Sequence, residues 1–438
     1  MEQINLTRLL ESLREARSRT VALVADLDDE QMIGPRLPIV NPLRWELGHV
    51  AWFQEYWLLR HLLKRAPMLT HGDSLFDSAK VAHDTRWDLP LLSKADTIAY
   101  AQMILDRVCD EYAAKAETNG SSKDAAYFLS LALFHEDMHA EAVTYTRQTL
   151  GYAAPKFSQV DVASNTSSQT SARLGDAFVP GGRFLLGSTN NQLFVFDNEL
   201  CAHEIHVDPF SISRTAVTNG EFAAFVDDRG YERRELWSDD GWQWREASGA
   251  KHPVYWKSDG GKWWRRTFDQ TIELGASLPV LHVNWYEADA FCRWAHRRLP
   301  TEAEWEMAAG FAPTTRASAH KRKFPWGDEP PDQQRANLDW RALGVVEVNS
   351  LPESDSAFGC RQMIGNVWEW TASDFLGFPG FVAGAYKEYS EPWFGDHKVL
   401  RGGCWTTRSR LISNTYRNFY KPDRRDVWAG FRTCALTT

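Results

Sequence analysis

The feature that most constrains this chain is a change of texture near residue 155. Before it, apolar residues recur at three- and four-residue steps with Glu and Arg between them. After it, short apolar runs are interrupted by Gly and Pro and crowded with tryptophan. The first pattern buries one stripe of a helix, and the second buries short strands beneath long connections. A chain of 438 residues also exceeds one ordinary domain. The reading is therefore a multidomain α and α+β protein. A four-helix bundle is expected over 1–155, a polar linker over 156–174 and a loop-rich α+β domain over 175–438.

Four segments predict the bundle. LTRLLESLREARSRTVALVADL is amphipathic. NPLRWELGHVAWFQEYWLLRHLLKR is entered through Asn41-Pro42, a helix start signal. SKADTIAYAQMILDRVCDEYAAKAE has Ser93 as N-cap, and SKDAAYFLSLALFHEDMHAEAVTYTRQTLGY stops near Gly151. Such a bundle can hold a metal between facing helices. The linker begins at Phe157 in FSQVDVASNTSSQTSARLGD, rich in Ser, Thr, Gln and Asn; a loop crossing a domain surface is the alternative. Beyond it only TNGEFAAFVDDRG and WYEADAFCRWAHRR, the latter followed by TEAEWEMAAG, read as helices. The 20 tryptophans, most of them after residue 230, indicate a Trp-rich core or a cleft lined with rings.

Composition excludes several functions. The net charge is −9 with both signs interspersed, so no basic track follows a phosphate backbone and no nucleic-acid partner is expected. No run of 18 apolar residues occurs, and MEQINLTRLLESLREARSRT is charged and amphipathic. Neither a membrane span nor a signal peptide is expected. Six scattered cysteines form no CxxC pair, which points to a reduced, cytoplasmic setting.

His135 and His139 stand four apart on one helix face, where β-carbons lie about 5–6 Å apart. His49, in the apolar helix segment LGHVAWF, can be brought opposite them. Three neutral imidazoles would leave open coordination positions, as a catalytic metal needs. His61, His71, His83 and His320 show no such arrangement and are expected in solvent. The segment HEDMH also spells HExxH, in which the Glu is a peptidase's general base; no downstream third ligand has an obvious helical setting.

The second half carries RLPTEAEWE (Arg298 to Glu306), FPWG (Phe324 to Gly327), GNVWEWT (Gly365 to Thr371), VLRGGCW (Val399 to Trp405) and AGFR (Ala429 to Arg432). These blocks resemble, in order, those of the formylglycine-generating-enzyme fold. The half with His49 and HEDMH resembles the DinB-like helical domain. The combination resembles the iron-dependent sulfoxide synthases of ergothioneine biosynthesis, their ovothiol relatives and the selenoneine synthases.

That resemblance implies an Fe(II) enzyme using O2 to join a sulfur or selenium donor to C2 of the hercynine imidazole, with oxidation to sulfoxide or selenoxide. His49, His135 and His139 match the iron ligands. Arg86 resembles the donor-binding arginine of the ergothioneine enzymes, and Arg424, in the run from Arg417, a second residue of that pocket. The iron is expected to face Trp370 to Phe381 and Arg417 to Arg425.

Departures bear on the donor. Asp137-Met138 replaces Gln-Gln between the helix histidines; Asp137 either meets the substrate's quaternary ammonium, hydrogen-bonds its imidazole or is simply solvated. SDFLGFPGF, with Phe378, lacks the expected tyrosines, leaving Tyr386, Tyr389, Tyr416 and Tyr420 as proton-donor candidates. Tyr420 stands where an acidic residue is usual. GPRLPIVNP and WELGH look more like the selenoneine branch. The expected donor is a selenosugar, with γ-glutamylcysteine or cysteine as the alternative. Three rivals stay open: a formylglycine-generating oxidase, although CWTTRSRLI after Gly403 lacks its copper-binding cysteine pair; a non-catalytic ligand-binding module; and a zinc thiol transferase.

Overall fold

The computed structural model describes residues 5–117, 123–157, 175–189, 193–311 and 321–436. Residues 158–174 of the expected linker and His320 lie outside the described residues. The chain divides into two compact units, Met1–Gln159 with Asn191–Phe194, and Val160–Asn190 with Val195–Thr438.

The first unit is helical: α1 Leu6–Ala22, α2 Leu43–Gln54, the short α3 Gly72–Phe76, α4 Lys94–Glu117 and α5 Lys123–Leu150. Caps placed the ends. Asn5 accepts from the Arg8 N–H at α1, Ser93 accepts from the Asp96 N–H before α4, and Gly151 ends α5 at φ 69°. The predicted second helix does not stay α-helical. After Gln54 it continues as a π-helix over Glu55–Leu62, a form that often marks functional sites.

Ion pairs with at least one buried partner brace this core. Arg17 meets Glu136 at 2.8 Å, Gln54 donates to the same carboxylate at 2.7 Å, and Arg147 meets Asp26 at 2.7 Å. The Phe194 ring, in the short segment assigned to this unit, packs against Tyr127 and Phe134.

The second unit has strands β1 Asp176–Val179, β2 Gly182–Leu186, β3 His203–Val207, β4 Phe210–Ser213, β5 Trp256–Asp259, β6 Lys262–Thr267, β7 Gln270–Glu273, β8 Arg297–Arg298, β9 Trp368–Asp374, β10 Lys398–Arg401, β11 Asn418–Tyr420, β12 Ala429–Gly430 and β13 Cys434–Ala435. They form sheets in the orders β1-β4-β13-β8, β11-β10-β9-β12, β2-β3 and β5-β6-β7. Helices α6 Asn219–Asp227, α7 Asp239–Ser248, α8 Trp285–Trp294 and α9 Glu302–Gly310 accompany them. Helices α6, α8 and α9 each open on a capping box, at Thr218, Asn284 and Thr301. Helix α7 was not expected: DDGWQWREAS carries no regular apolar stripe, although Ser238 caps it and Gly249 ends it.

The sequence blocks hold one another in the core of this unit. Arg401 of VLRGGCW meets Glu302 at 2.7 Å and Glu306 at 2.5 Å, both in RLPTEAEWE. Arg432 of AGFR meets Glu369 of GNVWEWT at 2.6 Å. The Trp305 indole donates to the same Glu369 at 2.7 Å. Breaking such a pair leaves an uncompensated buried charge, at a cost of about 3–5 kcal/mol. The blocks are therefore mutually dependent packing elements. The tryptophans follow the core reading here: Trp305, Trp340, Trp368, Trp370 and Trp405 are fully buried.

Candidate metal centre

The triad forms at one level of the bundle. Helix α5 carries His135 and His139 one turn apart, with their Nε2 atoms 3.2 Å from each other. Helix α2 presents His49, and one ligand atom from each of the three lies within 4.8 Å of the others. Each ring is held by a distinct partner. The His49 Nδ1–H donates to the Phe76 carbonyl at 2.7 Å, and its ring stacks on Trp45 with centroids 4.6 Å apart. His135 stacks on Phe53 at 3.6 Å, nearly parallel. His139 Nδ1 bonds the carboxylate of Glu46, which also accepts from Asn41 Nδ2 at 2.6 Å. Each Nδ1 so engaged leaves its Nε2 lone pair for an ion.

Gly48 makes room for this arrangement. A Cβ at that position would lie 2.2 Å from the Phe76 ring. Only a glycine lets α3 approach closely enough for the Phe76 carbonyl to reach His49.

Electrostatics favour neutral ligands. Burial, reinforced by the charge on His139, pulls His49 down to about 3. Burial and the neighbouring imidazoles hold His135 well below its ordinary value. Burial acts to raise the Glu46 acid, but the charge and hydrogen bond of His139 and the hydrogen bond of Asn41 outweigh it and bring it to about 2. His49 and His135 are thus held as neutral imidazoles, and Glu46 lies behind His139. Three imidazole nitrogens converging on one point suit a divalent transition metal and leave coordination positions open.

The HExxH reading is corrected by the same helix. Glu136 is completely buried and is held by Arg17 and Gln54. It faces away from the triad and cannot serve there as a general base.

Comparison with known proteins agrees with this architecture. Residues 12–143 match the DinB superfamily, and residues 162–436 match the sulfatase-modifying factor enzyme 1-like domain. The hercynine oxygenase of Mycobacterium tuberculosis is 36% identical over 424 residues, covering 96% of this chain and 96% of the relative. That of Mycolicibacterium thermoresistibile is 36% identical over 437 residues, covering 97% of this chain and 94% of the relative. The formylglycine-generating enzyme of Streptomyces coelicolor is 32% identical but covers only 60% of this chain and 88% of its own length.

The chain belongs to the hercynine oxygenase family. Its architecture is that of the ergothioneine sulfoxide synthases, a DinB-like domain followed by a formylglycine-generating-enzyme-like domain.

The other residues singled out in this family member fall into groups within each unit. In the helical unit, Arg86 is buried, donates from Nη1 to Asn41 Oδ1 at 2.7 Å and from Nη2 to the Val81 carbonyl at 3.2 Å, and lies 3.7 Å over the Trp45 ring. Asp137 is buried, not solvated, and Met138 is half-buried, between the two helix histidines. His61 and His71 are exposed as expected, whereas His83 is half-buried and its Nε2 meets the Val40 carbonyl at 2.8 Å.

In the second unit, Trp370 is wholly buried with its indole N–H on the Val283 carbonyl at 2.9 Å. In this position it packs within the sheet. Phe378 is buried beneath the Arg417 guanidinium, 4.1 Å from its ring. Tyr420 is half-buried under Arg424, 5.1 Å away, and Arg424 pairs with Asp426 at 2.6 Å. Tyr416 is buried, its hydroxyl 3.4 Å from that of Tyr389. Cys404 is fully buried beside Thr406 and Thr407, as a small core residue should be.

Sequence reasoning did not assign Glu46, Asn41, Trp45 or Phe53 to the centre. One signal was available: Glu46 precedes His49 by three positions, which places both on one face of α2.

Proposed function

We propose that this chain is a non-heme Fe(II) oxygenase that forms a carbon–chalcogen bond at C2 of the hercynine imidazole, and that a selenosugar is its preferred donor. The observation that carries the metal reading is the converging triad of His49, His135 and His139. The overall reaction balances as hercynine C2–H plus R–SeH plus O2 giving the C2–Se(=O)–R selenoxide plus water. Bound iron would supply the electrons that activate O2 and a soft-acceptor face for the selenolate or thiolate. The residues of the chain do the rest. Glu46 and the Phe76 carbonyl fix two ligand rings, while Phe53, Trp45 and Phe76 keep their flanks dry. Asp137 and Met138 stand between the helix ligands and are the candidate contacts for the substrate's trimethylammonium group. Tyr416 and Tyr420 are the candidate proton donors, and Trp370, Phe378 and Arg424 are candidate substrate contacts.

Two observations support a neutral donor. An ergothioneine-type donor, γ-glutamylcysteine, brings carboxylates that call for bidentate arginine forks. Arg86 already serves Asn41, Val81 and Trp45, and Arg424 already holds Asp426 through two nitrogens. A sugar asks instead for aromatic faces and a few hydroxyl partners.

The test supplies Fe(II), O2 and hercynine, and compares kcat/KM for a selenosugar, γ-glutamylcysteine and cysteine by mass spectrometry. The selenosugar is expected to win. If the dipeptide wins by about tenfold, some 1.4 kcal/mol in transition-state stabilisation, the donor reading fails. His135→Ala is expected to abolish both iron binding and turnover while the helices stay folded. Full activity with normal iron in that variant would refute the metal centre.

A further inference from the structure

Arg86, assigned by resemblance to the donor, stands at the end of a hydrogen-bonded chain that terminates on a metal-ligand candidate. The direction of that chain is forced. A guanidinium can only donate, so the Asn41 oxygen receives Arg86 Nη1 at 2.7 Å. The Asn41 amide then has only its N–H2 to offer, and it donates to Glu46 Oε1 at 2.6 Å. The other oxygen of Glu46 faces His139 Nδ1. A carboxylate accepts, so Nδ1 carries the proton and Nε2 is bare. The same guanidinium lies 3.7 Å over Trp45, whose ring stacks on His49 at 4.6 Å with 10° between the planes. Arg86 therefore braces two of the three imidazoles, one through Asn41 and Glu46 and one through Trp45.

We infer that Asn41, Glu46 and Arg86 form a positioning relay that sets the tautomer and orientation of His139, and that Arg86 acts in this chain through the metal ligands and not by binding the donor. The inference rests on the reading of the triad as a metal centre. Ligand histidines held this way lose about ten- to a hundredfold in metal affinity when the partner is removed. The relay also accounts for a side chain as short as asparagine at position 41. Its amide has one acceptor and one donor end, and both are used.

The experiment titrates Co(II), an oxygen-stable spectroscopic probe, into the full-length apo chain and into four variants. It also follows steady-state kinetics with Fe(II) and each donor. Glu46→Gln is expected to weaken Co(II) binding ten- to a hundredfold, to alter the ligand-field spectrum, and to lower kcat with every donor. Arg86→Lys keeps the charge but not the fork. It is expected to weaken Co(II) binding severalfold and to lower kcat without a donor-specific rise in KM. Asn41→Ala interrupts the relay at a half-buried position and gives the same signature if Glu46→Gln does not fold. His135→Ala is the control for the metal centre itself. Unchanged Co(II) affinity in Glu46→Gln and Asn41→Ala, with loss in His135→Ala, overturns the relay and leaves the metal centre standing. An Arg86→Lys chain with normal metal affinity and a tenfold higher KM for γ-glutamylcysteine alone makes Arg86 a donor-binding residue and overturns its assignment here. Unchanged affinity in His135→Ala overturns the metal reading and the relay with it.

Discussion

The helical unit and the sheet unit both bury polar groups, but they do so in opposite ways. In the sheet unit, Glu302, Glu306 and Glu369 meet Arg401, Arg417 and Arg432 at close range. Donors there face acceptors, and little capacity remains for a ligand. At the centre of the helical unit, three imidazoles face one another within 4.8 Å, and the Glu46 carboxylate binds one of them from behind. Like donors converge on a common point, an arrangement that charge neutralisation within the protein does not explain. Depth of burial therefore does not distinguish a site from a scaffold. What distinguishes them is whether the buried groups satisfy each other or a point between them.

The sharpest way to break this comparison is Glu369→Ala. It strands the Arg432 guanidinium and the Trp305 indole in a dry core, with an expected loss of about 3–5 kcal/mol in urea-induced unfolding. Co(II) affinity should not change. A loss below 1 kcal/mol would mean that the sheet unit's pairs are not structural in the sense argued.

The next effect depends on pH. Glu199 is buried and accepts from Thr415 Oγ1 at 2.7 Å. Burial, only partly offset by that hydrogen bond and by Arg401, raises its acid from 4.5 to about 7. The fold favours the protonated form, so this contribution is fully present below the unfolded value and is lost as pH rises through 7. The penalty reaches about 3 kcal/mol by pH 8. Glu199→Gln should therefore be more stable than the parent at pH 8 and close to it at pH 4.5. Thermal unfolding at the two pH values checks this; equal shifts at both would remove the titration argument.

The smallest effect sharpens the line between the two kinds of burial inside one helix. Glu136 adjoins His135 yet faces Arg17. Glu136→Gln should cost about 2 kcal/mol of stability through the weakened charged hydrogen bonds and leave metal affinity within a fewfold range. Loss of metal without loss of stability would put Glu136 at the centre and reopen the hydrolase reading.

Much of this organisation is legible in the amino-acid order because it is local. Periodicity at three and four residues marks the bundle, and Thr218, Asn284 and Thr301 announce helix starts in the sheet unit. Helix α7 escaped because Trp242 and Trp244, two apart, make no helical stripe, although its caps were present. The π-helical turn after Gln54 has no sequence signature of its own. The His135–His139 pair is a same-face relation on one helix, and His49 stands out by its apolar helical surroundings.

The sequence by itself determined the two textures, the family blocks and the three histidines, since spacing along a helix or a signature block survives without knowledge of the fold. Only the tertiary structure decided the partners. Asn41 meets Arg86 across 45 residues, Glu46 meets His139 across 93, and Arg17 claims Glu136 across 119. Two glutamates near the same histidines thus acquired opposite roles, one behind a member of the triad and one in a structural pair. The physical reason is that a carboxylate's role depends on which donor the packed helices place within hydrogen-bond distance, and chain separation carries no information about that.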